Sequence, residues 1–277
     1  MLQIEHLSKR YRLKDRDVVA LDDVSFAVRP GEILGLVGKS GGGKSTLMKI
    51  LRGMEDFDSG SIILDSLILT PDACDEEKRQ QLAMTAIHLQ RDFALWTETA
   101  LKNVVRRVKA RRTGYEALPI PEDADYDELY QEAMHYLRLV GLGEKAQHLA
   151  TILSGGEKQR LLIARQLAKK PKILLLDEPA TMACPATKQE VLDAIKNVNR
   201  ELNLTTIVVS HLPEIHEYLA DRLIWLDKGK IVAEGKPGEI LDRFMAGIGK
   251  MEPLVSWPDA KPLIKVRELS KRGCQIC

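Results

Sequence analysis

The sequence predicts an α/β fold in which a parallel sheet carries helices on both faces. Three short apolar runs, Glu32–Val37, Lys172–Leu176 and Thr205–Ser210, have the length and composition of strands buried on both sides. Helical segments separate these runs, and strands that alternate with helices produce a parallel sheet. The first run also ends at a glycine-rich loop that leads into a helix.

Taken in order, Leu2–Leu7 and Val24–Val28 alternate apolar and polar residues, the pattern of half-buried strands. Ser45–Arg52 is rich in helix formers. Ser61–Leu69 is strand-like and closes at Thr70-Pro71-Asp72. From about Glu98 to Glu144 the chain turns charged and helical, broken at Leu118–Pro121. Ser154 opens a helix predicted to run to Lys170, where Pro171 stops it. Lys188–Leu202 is a further helix, and Leu223–Leu226 with Lys230–Ala233 forms a hairpin around Lys228-Gly229. Residues 1–248 are read as one domain and 249–262, with three prolines, as a linker. Residues 263–277 are read as the truncated start of a second copy. Ile264 to Arg272 repeats the pattern of Leu2 to Arg10, with Leu, Ser, Lys and Arg in register.

Composition narrows the function classes. A net charge of +1 over 277 residues gives no global field toward nucleic acid, and none is expected as a partner. Four scattered cysteines do not make a disulfide framework, so a reduced, cytoplasmic setting is expected. No run approaches the roughly 20 apolar residues that span a bilayer.

Three motifs carry chemistry. Gly38-Lys39-Ser40-Gly41-Gly42-Gly43-Lys44-Ser45 fits G-x-x-x-x-G-K-[ST] between a strand and a helix. Glycines let the backbone fold around phosphates and aim its N–H groups at them. Lys44 would reach the β- and γ-phosphates and Ser45 would hold Mg²⁺, while Thr46 completes the nucleotide-contacting set. Asp177 and Glu178 end the apolar strand that starts at Lys172. Asp177 is placed to bind Mg²⁺ and Glu178 to polarise an attacking water; a solvated acidic loop is the plainer alternative. Ser154, Gly155 and Gly156 open a helix with a hydroxyl and exposed N–H groups, an anion site by construction. A simple helix cap would explain Ser154 but not the double glycine.

With these motifs in this order, residues 1–248 resemble the ATP-binding cassette (ABC) superfamily. The resemblance implies a P-loop NTPase core of the RecA-like kind, an antiparallel β subdomain, and an inserted helical subdomain at about residues 91–153. It implies ATP and Mg²⁺ as ligands, Tyr11 stacked on adenine, Gln90 sensing Mg²⁺ and water, and His211 on the γ-phosphate. It further implies a head-to-tail pair of such domains, as tandem copies or a homodimer, in which Ser154, Gly155 and Gly156 complete the partner's site. One departure stands out: where the family usually places an aspartate after Asp177-Glu178-Pro179, this chain has Cys184. An asymmetric pair with one slow site is the expectation.

Phe93 and Trp96 are either core of the helical lobe or a docking surface for a membrane permease subunit. The basic run Arg106, Arg107, Lys109, Arg111 and Arg112 is expected to be a solvated helix face. Cys274 and Cys277 are half a zinc site at best. The tail, with Ser210-His211-Leu212-Pro213-Glu214 and Leu223-Ile224-Trp225, is similar to the tandem, soluble ATP-binding component of the methyl-coenzyme M reductase activation system. That resemblance implies a soluble reductase complex as partner. The competing expectation is the ATP-binding subunit of an importer for peptides or another small solute.

Overall fold

The computed structural model describes residues 1–12, 16–88, 95–114 and 125–247. Gln90, Phe93, the linker, the second-copy segment, Cys274 and Cys277 lie outside the described residues. The elements run β1 (Leu2–Arg12), β2 (Asp17–Val28), β3 (Ile33–Val37), α1 (Lys44–Arg52), β4 (Ser59–Leu64), β5 (Leu67–Leu69), α2 (Asp75–Met84) and β6 (Thr85–His88). Then come α3 (Ala100–Thr113), α4 (Asp125–Leu139), α5 (Gly155–Leu167), β7 (Ile173–Asp177), α6 (Pro185–Leu202) and β8 (Thr205–Val209). The described chain ends with α7 (Pro213–Leu219), β9 (Arg222–Asp227), β10 (Lys230–Gly235) and α8 (Pro237–Met245).

Two sheets form. The larger has the order β10-β9-β3-β8-β7-β6, parallel except for its β10 edge. The smaller, β2-β1-β4-β5, is antiparallel throughout. Alternation inside the apolar runs shows why the central strands read as continuous. Ile173 and Leu175 of β7 join a core with α1 and the antiparallel sheet, whereas Leu174 and Leu176 join a second core with the helices α3 to α6. Both faces are dry, so polar groups are confined to strand ends. No helix among the described residues is long and apolar enough to cross a membrane.

The parallel sheet, the antiparallel β layer and the helical insertion agree with the expected architecture. Boundaries differ where local chemistry intervenes. The single strand expected over Ser61–Leu69 is a hairpin, folded at Asp65, whose φ of 54° makes the turn. Helix α5 stops at Leu167 rather than Lys170, and Lys170 takes a left-handed φ of 53°. Helix α6 begins at Pro185, because proline at the first helical position costs no hydrogen bond. The elements α2, β6, α7 and α8 were not anticipated; α2 carries no strong apolar period, whereas α8 buries an apolar face with Ile240 and Leu241.

The basic run is not a solvated face. Arg106 grips Glu98 with two bonds of 2.6 and 2.7 Å and lies 4.5 Å over the Trp96 ring. Lys109 is buried. Arg111 is bidentate to Glu132 at 2.8 and 2.9 Å and also donates to the Ala168 carbonyl at the end of α5. Lys170 and the Tyr136 hydroxyl each reach the same Glu132 oxygen, at 3.1 Å. Burial pushes the Glu132 carboxyl up, but Arg111 and then Lys170 outweigh it and hold it down at about 2. The folded group titrates below the unfolded one. Its stabilisation is therefore complete above the ordinary pKa of 4.5 and is lost as pH falls through about 2. Glu132→Gln should cost about 2 kcal/mol at pH 7 and flatten stability between pH 4.5 and 2. Urea titrations across that window check it, and an unchanged midpoint at pH 7 would contradict it.

Candidate nucleotide site

The phosphate loop joins the end of β3 to α1. Backbone crowding shapes it. A Cβ at Gly38 would sit 2.0 Å from the Leu226 carbonyl oxygen, and one at Gly42 2.7 Å from the same atom. A Cβ at Gly43 would meet the Ala20 carbonyl oxygen at 2.5 Å, and nothing lies within 4 Å of one at Gly41. The loop is thus held tightly from behind and is open in front. Lys44 folds back over it, donating to the Gly38 carbonyl at 2.7 Å and the Lys39 carbonyl at 3.1 Å. Burial lowers the Lys44 pKa, while Asp177 and Glu178 pull it the other way.

The acidic pair stands at the end of β7, opposite the loop. The Asp177 carboxyl is shifted up by burial and then by Glu178, against His211 and Lys44. Glu178 is buried and has a φ of 52°, a left-handed conformation that a non-glycine residue adopts at a cost. Its carboxylate accepts from Ser210 Oγ on Oε2 at 3.0 Å and from the His211 backbone N–H on Oε1 at 2.6 Å, with Thr181 Oγ1 a longer donor to Oε2 at 3.4 Å. The Glu178 N–H donates to the Val209 carbonyl at 2.9 Å, which ties the ends of β7 and β8 together. The His211 ring is exposed, with Nε2 3.8 Å from Glu178 Oε1.

A cleft of about 270 Å³ brings together Tyr11, Val18, Ser40 to Thr46, Asp177 and His211. Gly38 and Lys39 are not among the residues that line it; they form the base of the loop through their carbonyls. A wider groove of about 480 Å³ beside His135 has Glu132 as its carboxylate, already committed to Arg111 and Lys170. The nucleotide cleft fits a polyphosphate: an unobstructed glycine loop, an ammonium group and a helix N-terminus converge there. Ser45 and Asp177 offer hard oxygen donors of the kind that suit Mg²⁺ beside phosphates. No group of three or more His, Cys, Asp or Glu side chains among the described residues converges as an all-protein metal cage.

Ser154, Gly155 and Gly156 do not line this cleft. Ser154 caps α5 in a capping box, Oγ accepting from Glu157 N at 3.3 Å while the Glu157 carboxylate accepts from Ser154 N at 2.8 Å. The double glycine has a packing cause that the sequence reading missed. A Cβ on Gly155 would lie 2.2 Å from the Met182 carbonyl oxygen, and one on Gly156 2.8 Å from Thr187 Oγ1. Cys184, exposed at the N-cap of α6, has its Sγ 3.3 Å from the same Thr187 Oγ1, which holds its thiol pKa down. Ser210 was also missed as a site residue; its position just before His211 was the available signal.

Residues 21–181 match the ABC transporter family. The chain belongs to the ABC transporter ATPase family. An uncharacterized ABC transporter ATP-binding protein of Methanocaldococcus jannaschii is 47% identical over 279 residues, covering 98% of this chain and 47% of the relative. A second such protein of that organism is 32% identical over 308 residues, covering 100% of this chain and 54% of the relative. The chain thus spans about half the length of these two relatives. The methionine import ATP-binding protein MetN of Haemophilus influenzae is 36% identical over 244 residues, covering 87% of this chain and 66% of MetN. Among solved structures, an ATP-binding cassette dimer in a post-hydrolysis state with ADP and Pi bound aligns at a TM-score of 0.70. That structure is 28% identical, and the alignment covers 86% of this chain and 99% of the other. This ABC domain is accordingly an ATPase domain with ATP as its nucleotide.

The packing of α5 against the loop before α6 yields a prediction. Gly155→Ala should destabilise the domain by about 2 kcal/mol, because a backbone carbonyl cannot retreat as a side chain can. Thermal unfolding with and without nucleotide checks it; a wild-type melting temperature would show that the Met182 carbonyl moves freely.

Proposed function

We propose that this ABC domain hydrolyses ATP by in-line attack of a water on the γ-phosphorus, with Glu178 polarising the water. The supporting observation is the Glu178 carboxylate itself, buried and held by Ser210 Oγ and the His211 N–H beside Asp177 and opposite Lys44. The water oxygen bonds to the γ-phosphorus as the bond to the β–γ bridging oxygen breaks. ADP leaves, and the water proton passes to Glu178 and on to the released phosphate. Loop N–H groups and Lys44 hold the phosphates, Tyr11 meets the adenine and His211 the γ-phosphate. Ser45, Asp177 and, by the family pattern, Gln90 would hold Mg²⁺, which would neutralise phosphate charge when bound.

Two domains act together in this reading. Ser154, Gly155 and Gly156 lie away from their own cleft, as residues acting on a partner's nucleotide must. The dimeric relative with ADP and Pi supports the same pairing. A second ABC domain in the same chain is favoured by two facts: the repeat at 264–272 and two relatives of about twice the length. We infer that closure of this tandem on ATP drives a soluble partner, the methyl-coenzyme M reductase activation complex, whose ATP-binding component the tail resembles. The second reading, an importer subunit paired with a permease, is favoured by the likeness to MetN and by Trp96, which is 39% exposed under Arg106.

Glu178→Gln keeps the size of the side chain but removes the charge and one of its two acceptor oxygens, so ATP hydrolysis should fall by roughly 10²-fold or more with ATP binding retained. Lys44→Ala should weaken ATP binding itself. Steady-state ATPase and nucleotide titration separate the two, and a Glu178→Gln chain turning over at the wild-type rate would remove Glu178 from the role. Partner capture divides the broader readings. Co-purification with soluble reductase components under anaerobic conditions is expected, whereas recovery with an integral membrane permease, lost on Trp96→Ala, would establish the importer.

A further inference from the structure

We propose that His216 is a positioning residue for hydrolysis, holding the Ser210–Leu212 turn that clamps the Glu178 carboxylate. The inference rests on the reading of Glu178 as the water-polarising group.

His216 lies in α7, is 1% exposed, and shares its short helix with the fully buried Ile215 and Leu219. An apolar side chain would fill this position without the desolvation cost of an imidazole. The ring's Nε2 donates instead to the Ser210 carbonyl at 2.9 Å. That carbonyl belongs to the residue whose hydroxyl donates to Glu178 Oε2, and the next residue supplies the backbone N–H to Oε1. The Ser210 hydroxyl also accepts from Leu212 N at 3.2 Å, so the turn is knotted around one oxygen.

Space and protonation agree with a fixed donor. Strand β3 makes room for the ring at Gly35, where a Cβ would lie 2.6 Å from Nδ1. Nδ1 is buried with no hydrogen-bond partner, so the proton sits on Nε2, the atom facing the carbonyl. Burial lowers the His216 pKa and keeps the ring neutral; the Ser210 carbonyl and Glu178 act in the opposite direction, and Lys44 and His211 act with burial. Glu178 itself sits in a left-handed backbone conformation that its surroundings must enforce.

The test compares two substitutions in the full chain. His216→Met removes the donor at similar volume, and His216→Gln returns an amide N–H at a reach close to that of Nε2. His216→Met should lower kcat for ATP about tenfold with KM within about twofold, and His216→Gln should recover most of that loss at a matched melting temperature. Ser210→Ala should lower kcat similarly, and adding His216→Met to it should cost little more, because both act through one turn. If His216→Met does not fold, His216→Asn, whose amide stops short of the carbonyl, takes its place. A wild-type kcat in the donor-free variant, or equal losses in His216→Met and His216→Gln that follow melting temperature, overturns the inference. Glu178→Gln assayed alongside separates the two failures: its wild-type turnover would topple the parent reading, and its inactivity beside an unaffected His216→Met would topple only this one.

Discussion

Backbone meets backbone where the phosphate loop lies against the end of β9. The Leu226 carbonyl oxygen occupies the space that side chains at 38 and 42 would need, and the Gly42 carbonyl accepts from Gly229 N at 3.1 Å. Gly229 O in turn accepts from Asp22 N, which brings the antiparallel sheet to the same junction. No side chain mediates these contacts, so the loop cannot relax by changing a rotamer. The Lys44 ammonium then closes the loop on its own carbonyls. A preformed cradle loses little freedom when phosphates arrive, the condition under which N–H groups and a cation stabilise an anion most effectively.

Burial on both faces of the large sheet explains why the chemistry collects at one edge. β3, β7 and β8 are parallel, so their carboxyl ends lie side by side. There the chain first escapes the dry interior, and there Gly38, Ser210 and Asp177 follow one another across the neighbouring strands β3, β8 and β7. The same logic made these strands legible in the sequence: apolar runs without polar alternation, such as Ile173–Leu176 and Ile207–Val209, are satisfied between two layers. The phosphate loop and the acidic pair were legible because their chemistry requires particular residues at fixed spacing. The Glu178 clamp was not. It depends on a left-handed φ at a glutamate and on a turn 32 residues away, and neither leaves a periodic trace. Likewise α2, with only Gln81 buried, offers no apolar stripe to read.

Close packing between α5 and the loop before α6 changes how the Cys184 departure is understood. Gly155 and Gly156 let the α5 N-terminus press on Met182 and Thr187, and Thr187 is the partner of the Cys184 thiol. Cys184 therefore already serves locally, at the N-cap of α6, in a position where aspartate would accept backbone hydrogen bonds more strongly. The departure leaves the N-cap of α6 weak and uncharged, one turn from the Thr187 hydroxyl against which Gly156 packs. Sequence alone showed the missing charge but not its neighbourhood.

Helix α5 links the lobes from one end to the other. Its first turn is anchored by Lys145 on Glu157 and by packing on Met182 and on Thr187 in the first turn of α6. At its middle, Gln159 and His88 form a buried hydrogen bond to the end of β6, next to the strand that carries Asp177. Arg160, one residue on, reaches the Val140 and Gly141 carbonyls after α4 and the Glu190 carboxylate on α6. At the far end, Arg111 of α3 holds the Ala168 carbonyl while gripping Glu132 of α4. Polar contacts of this kind fix direction as well as distance, so α5 cannot slide relative to α3, α4 or the sheet without breaking buried bonds. A displacement of the helical lobe must carry Ser154 with it as part of one body. The end of β7 and the surface presented by Ser154 are thereby joined through a single helix.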